Sequence, residues 1–259
     1  MPYSRPWKKN YKLRRMTLPD YYTELAPFRG LFQEGHPILC YHKIAPPAKR
    51  ARIKGLYLEP KLFLRHMSEI TQAGLTSSFL GFSAVSKKET ITITFDDGFV
   101  SNLVEAVPVM KKVGVQAINY LVADRLGQTS DWEAREGGEA DPLMDESQVR
   151  EWLAAGHQIG AHTCTHPRLS FLSRDQAKEE IFASKKKLED RFGLPMDHFA
   201  YPYGDYNQTT VELVREAGFK TAVTMHRGVN LPNTPLFELK RWTARYESRN
   251  LKNLLRKFF

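Results

Sequence analysis

Two short stretches carry residue types able to do chemistry, Thr94-Phe95-Asp96-Asp97-Gly98 and His162-Thr163-Cys164-Thr165-His166-Pro167. Together they can supply a divalent metal site and a catalytic base. If Asp97, His162 and His166 bind one ion and Asp96 stays off it, the set has what metal-assisted hydrolysis needs. Two imidazoles and a carboxylate suit Zn²⁺ with positions left for water and substrate, and Co²⁺ or Ni²⁺ fit the same donors. Neither motif says much alone, since Asp-Asp-Gly occurs in many loops and paired histidines are often structural. The conjunction carries the signal: adjacent acids end a strand-like Ile91-Thr92-Ile93-Thr94-Phe95 run, and the histidines end another further along.

The elements around these motifs must bring them together. Gly160 ahead of the histidines, Thr163 and Thr165 between them and Pro167 behind disfavour helix, so His162 belongs at a strand end and His166 in the following loop. Elsewhere a unit recurs, an amphipathic helical stretch that stops at glycine before a strand-forming run. Lys61–Ala73 stops at Gly74, Ser101–Val113 at Gly114, Glu146–Ala155 at Gly156, Arg174–Phe192 at Gly193 and Thr209–Ala217 at Gly218. Ser173 with Gln176, and Asp145 with Gln148, have capping-box spacing. Pro108 inside the Ser101–Val113 pattern predicts a kink or a later start. The expected strands are Ile38–His42, Ile91–Asp96, Ala117–Val122, Gln158–His162, Phe199–Tyr201, Thr221–Met225 and Phe237–Trp242. Alternating helices and short apolar strands predict a parallel sheet, open or closed into a barrel, with chemistry at the carboxyl ends of its strands. The segment Gly127–Asp141 reads as a polar loop over those ends, as does the basic Ala45–Arg52.

With 259 residues and 42% hydrophobic content, the chain is long enough for one large core. The expected division is a basic, aromatic arm over 1–36 and one catalytic domain over 37–259. A net charge of +9, from 38 Lys and Arg against 29 Asp and Glu, favours anionic surroundings such as a phospholipid surface. No zinc finger, aromatic RNA-binding signature or long basic helix points to nucleic acid. Two cysteines, Cys40 and Cys164, are too few for a disulfide framework. No signal-like or membrane-spanning apolar run is present, so the chain as written reads as cytoplasmic, and as extracytoplasmic if a leader has been trimmed away. The C-terminal Leu251–Phe259 has amphipathic helical periodicity with basic residues opposite its apolar ones.

The Thr94–Gly98 and His162–Pro167 stretches, followed by Phe199-Ala200-Tyr201-Pro202-Tyr203-Gly204, resemble the first three motifs of the polysaccharide deacetylase (NodB homology) family. These are carbohydrate esterases that remove N-acetyl groups from amino sugars. The resemblance implies an α/β fold, a distorted (β/α) barrel of seven or eight mostly parallel strands. It also implies Asp96 as general base, Asp97, His162 and His166 as metal ligands, and the Tyr203 backbone N–H as donor to the oxyanion. The chain departs from the family pattern twice: Phe199 stands where many members have an arginine, and Leu239-Lys240-Arg241 stands where a late Leu-x-His is expected. His42, in Leu39-Cys40-Tyr41-His42, resembles the Tyr-His element of the subgroup acting on poly-N-acetylglucosamine and other exopolysaccharides, and is preferred as general acid over His226. Arg241 resembles a late arginine of that subgroup and could pair with Asp96; an ordinary surface arginine fits its sequence equally. The function this implies is metal-dependent N-deacetylation of an amino-sugar glycan or its precursor. The alternatives are a catalytically weak glycan-binding relative, or an O-acetyl esterase or deformylase on a lipid-linked sugar.

Overall fold

The structure is a computed structural model that describes residues 18–49, 51, 53–80 and 89–245. Its strands are β1 (Ile38–Tyr41), β2 (Lys43–Ile44), β3 (Tyr57–Leu58), β4 (Thr76–Ser77), β5 (Thr90–Phe95), β6 (Ala117–Leu121), β7 (Gln158–Ala161), β8 (His198–Ala200), β9 (Thr221–Val223) and β10 (Trp242–Thr243). The main sheet runs β10-β1-β5-β6-β7-β8-β9, with β4 beside the start of β5 and β2 paired to β3 apart from it. Every pairing in it is parallel. β1, β5 and β6 are buried along their whole length, as expected of strands covered on both faces.

The last expected strand, Phe237–Trp242, is divided between two neighbours. Its first part follows β9, with the Ala222 amide donating to the Leu236 carbonyl at 2.8 Å and the Leu239 amide to the Ala222 carbonyl at 3.0 Å. The chain then crosses to β1 and forms β10, where Trp242 pairs with Leu39. This crossing joins the two edges of the sheet, so the sheet closes as a distorted barrel with all strands pointing one way. Arg241 lies at the crossing with its side chain fully buried.

The helices wrap this sheet: α1 (Arg29–Glu34), α2 (Pro60–Gln72), α3 (Val107–Val113), α4 (Asp131–Arg135), α5 (Glu146–Ala154), α6 (Arg174–Phe192) and α7 (Gln208–Glu216). Both expected capping boxes are present on α5 and α6, and Asn207 with Thr210 forms a third on α7. A π-helical turn over Asn102–Ala106 leads into α3, which places Pro108 in the first turn of that helix, where its missing N–H is not needed. Residues 1–17 of the expected arm lie outside the described residues, as does the Leu251–Phe259 segment. Residues 18–36 send Tyr22, Leu25, Phe28 and Phe32 into the main core. Tyr22 is tied to the closing strand by its amide, which donates to the Thr243 carbonyl at 2.9 Å.

Candidate active site

Because all strands of the barrel run parallel, their carboxyl ends open on one mouth, and residues distant in sequence meet there. Asp96 and Asp97 leave β5, His162 leaves β7, Tyr203 follows β8 and His42 follows β1. The chain bends sharply at the exits of β5, β7 and β8. Asp97, Thr163, His166 and Tyr203 all adopt left-handed backbone, with φ of 75°, 65°, 65° and 60°. Such conformations cost on the order of 1–3 kcal/mol each outside glycine and tend to gather at functional sites. Gly98, with φ 84°, completes the turn after β5, where a Cβ would come within 2.9 Å of the Leu121 side chain.

The turn between the histidines is held by Glu180 of α6. Its carboxylate accepts the Cys164 amide at 2.8 Å, the Thr165 amide at 3.0 Å and the Thr165 hydroxyl at 2.6 Å. Within the turn, the His166 amide donates to the Thr163 hydroxyl at 3.0 Å. His162 donates from Nδ1 to the Ala200 carbonyl at 2.7 Å, which leaves Nε2 with its lone pair toward Asp97.

Asp97 Oδ1 lies 3.5 Å from His162 Nε2 and 3.3 Å from His166 Nε2. All three side chains are buried. Asp97 Oδ1 accepts no hydrogen bond within the described protein. A buried carboxylate oxygen without a hydrogen bond is costly, and two imidazole nitrogens converging on it form a donor set suited to a divalent cation. Burial alone would raise the Asp97 carboxyl; its contacts with His162 and His166 override that and hold it well below the usual carboxylate range. Burial lowers His166, which favours the neutral form a ligand needs, while the nearby Asp97 and Asp96 carboxylates raise His162 against its own burial.

Asp96 is held differently. Arg241 donates to both of its oxygens, from Nη1 to Oδ1 at 2.7 Å and from Nη2 to Oδ2 at 2.8 Å. The guanidinium is itself fixed by the Thr224 carbonyl at 2.9 Å and the Thr94 hydroxyl at 3.2 Å. Burial would raise the Asp96 carboxyl, but the Arg241 charge outweighs it and keeps it below the ordinary value. His42 Nε2 lies 3.9 Å from Asp96 Oδ2, and burial lowers the His42 pKa. Cys40 Sγ donates to the same oxygen at 3.5 Å, and burial pushes that thiol well up. Cys40, His42 and Asp96 also gather closely enough to bind a metal, but the guanidinium already engages both Asp96 oxygens, so this cluster does not fit a second cation.

The mouth thus brings together Asp96, Asp97, His162, His166, His42 and Arg241. Tyr203 packs its ring on His166 at 4.6 Å between centroids, beneath the Arg168 guanidinium. His226 stands apart, exposed in a groove with Tyr206, Glu238 and Lys240. Trp132, in the Gly127–Asp141 segment, is only 5% exposed and packs on His166. Trp152 is fully buried in the core. Lys43 and Glu180 were not singled out as site residues by sequence; an ammonium following a buried strand and acids in the Gly127–Asp141 loop were the available signal for Lys43. Both cysteines are free, and no helix among the described residues is long and apolar enough to cross a membrane.

The sequence profile of the polysaccharide deacetylase family matches residues 83–222. The chain is 27% identical over 212 residues to YxkH of Bacillus subtilis (strain 168), which carries a polysaccharide deacetylase name, covering 79% of this chain and 70% of that protein. It is 27% identical over 123 residues to the peptidoglycan-N-acetylglucosamine deacetylase PgdA of Listeria monocytogenes serotype 1/2a (strain 10403S), spanning 47% of this chain and 23% of that longer protein. Among solved structures, it resembles the deacetylase PplD of Streptococcus pyogenes in complex with acetate, with TM-score 0.70 and 27% identity over 85% of this chain and 96% of that one.

Proposed function

The chain belongs to the polysaccharide deacetylase family, and from that premise we propose that it removes the N-acetyl group from an amino sugar in a glycan or glycan precursor, using a divalent metal ion. The observation that carries this reading is the pairing of unlike carboxylates at one mouth. Asp97 faces two imidazoles with an oxygen that accepts no hydrogen bond, while Asp96 beside it is held as an anion by Arg241. Asp97, His162 and His166 would hold the ion, with Zn²⁺ the first choice and Co²⁺ or Ni²⁺ suited to the same donors. Such an ion supplies Lewis acidity toward an acyl carbonyl and toward water.

The remaining work falls to the chain's own groups. Asp96 takes a proton from the attacking water, and the fixed guanidinium behind it keeps the carboxylate ionised and aimed. The left-handed turn at Tyr203 is assigned the backbone N–H that donates to the developing oxyanion, a kind of contact whose loss costs roughly 10²–10³ in rate elsewhere. His42, within 3.9 Å of Asp96, is assigned the proton that the departing amine requires. The products are acetate and the free amine. Arg241 compensates for the arginine missing ahead of the third motif, which argues for an active enzyme over a weak glycan-binding relative. Acetate bound to PplD and the N-acetylglucosamine in the name of PgdA support the acyl group and the class of sugar.

The test is acetate release from N-acetylglucosamine oligomers by chelator-stripped protein reloaded with Zn²⁺, Co²⁺ or Ni²⁺. Activity should return with metal. Asp96→Asn should retain metal while turnover falls by about 10²–10⁴. Loss of metal in that variant would mean the aspartate roles are reversed, and formate release from N-formyl sugars in place of acetate would favour the deformylase.

A further inference from the structure

The two histidines facing Asp97 are oriented by different means. His162 is fixed by the hydrogen bond from Nδ1 to the Ala200 carbonyl, the usual device for a metal-binding imidazole. His166 Nδ1 is buried and has no such partner among the described residues. Its ring is instead packed against aromatic rings, stacked on Trp132 at 4.4 Å and 28° and tilted against Tyr203 at 4.6 Å and 57°. The direction of its Nε2 therefore depends on where Trp132 is held.

Trp132 lies on α4, in the 127–141 segment, and packs with Phe99, Val122 and Leu143 in a small cluster separate from the main core. A single cation on β2 staples this segment at its middle and at its far end. Lys43, 2% exposed, donates to Glu133 Oε2 at 2.5 Å and to Asp141 Oδ2 at 2.7 Å. Its Nζ also bonds the Tyr57 hydroxyl at 3.2 Å and lies 4.6 Å from the centre of the Phe99 ring. Ser130 completes the staple, donating to Glu133 at 2.8 Å and accepting the Asp141 amide at 3.0 Å. An ammonium buried this deeply is tolerated only when paired and hydrogen-bonded. Here the partners that satisfy it are the neighbour of Trp132 and the far end of the same segment.

We propose that Lys43 is a positioning residue for the metal centre: by clamping the 127–141 segment across the barrel mouth, it presses Trp132 onto His166 and so aims the Nε2 of that histidine. The inference rests on the metal reading above. It is tested by measuring Zn²⁺ affinity of the whole protein against a chromophoric chelator, with no turnover required. Lys43→Met should weaken Zn²⁺ binding by about 10-fold, the range seen when the support of a ligand is removed. In a Trp132→Leu background the same substitution should change affinity by less than about twofold, since the two residues act in series. An unchanged affinity in Lys43→Met, or an equal loss with and without Trp132, overturns the proposal. If Lys43→Met lacks a cooperative thermal transition, Glu133→Gln carries the same comparison with the ammonium still paired to Asp141. Failure of the unmodified protein to bind Zn²⁺, Co²⁺ or Ni²⁺ would overturn the metal reading itself; tight binding that ignores Lys43 overturns this inference alone.

Discussion

At the residue scale, the centre turns on what Arg241 does for Asp96. Arg241 is 1% exposed, and its guanidinium fork engages both carboxylate oxygens. Removing one member of a buried pair leaves an uncompensated charge, at about 3–5 kcal/mol, so Arg241→Met should be markedly less stable. Its effect on pH dependence has a defined sign. A base must be ionised, and Arg241 holds the Asp96 carboxyl below its ordinary value against burial, which raises it. Without the arginine, burial prevails and the acidic limb of the kcat/KM profile should move to higher pH. A limb that stays in place, measured on folded Arg241→Met with metal present, would remove Asp96 as the titrating base. The Asp97, His162 and His166 set was legible because two contiguous motifs contain it. Arg241 was legible only as one of two equal readings, since its burial depends on how the barrel closes. Lys43 and Trp132 were illegible as site supports because the contact of Lys43 with Asp141 spans 98 positions and is made only by the folded mouth.

At the element scale, α6 does more than cover the sheet. Glu180 lies in its second turn, and the capping box at Ser173 fixes where that turn begins. From there the carboxylate accepts three hydrogen bonds from the 164–165 turn. Glu180→Ala would strip partners from two backbone amides, for which about 2 kcal/mol of stability is the expected loss in urea denaturation. Glu180→Gln should lose less, because an amide oxygen still accepts. A loss within about 0.5 kcal/mol for the alanine variant would mean that water replaces the carboxylate freely. The helices themselves were readable: the stop of α6 at Gly193, with φ 67°, and its capping box are local signals. The last strand was not, because a run of strand-forming residues does not say that its halves pair with different neighbours. That division is decided by the geometry of closure, with the Leu239 amide bonding β9 and Trp242 already in register with β1.

At the scale of the whole molecule, burial of histidines away from the mouth makes the fold sensitive to acid. Burial lowers His36, His66, His157 and His198 to about 4 from the ordinary 6.5. The neutral form suits the surroundings of His66: Nε2 donates to the Thr23 carbonyl, and Nδ1 can then accept the Tyr41 hydroxyl. Between pH 6.5 and 4 the unfolded chain binds protons at these sites that the folded chain refuses. Stability should therefore be full above that window and fall as pH drops through it, by up to about 1.4 kcal/mol per pH unit for each histidine. Urea midpoints at pH 7, 6 and 5 would check this, and a flat series would mean that these imidazoles titrate normally. Closure of the barrel carries a consequence for the order in which the protein is made. Asp96 and Arg241 are 145 positions apart, and β1 receives its second neighbour only when β10 arrives. On a ribosome, the acid would emerge long before its counter-charge, and a growing chain would carry an open seam between β1 and the place of β10. Hydrolytic competence would then wait for synthesis of β10 and be gained in one event when the seam shuts.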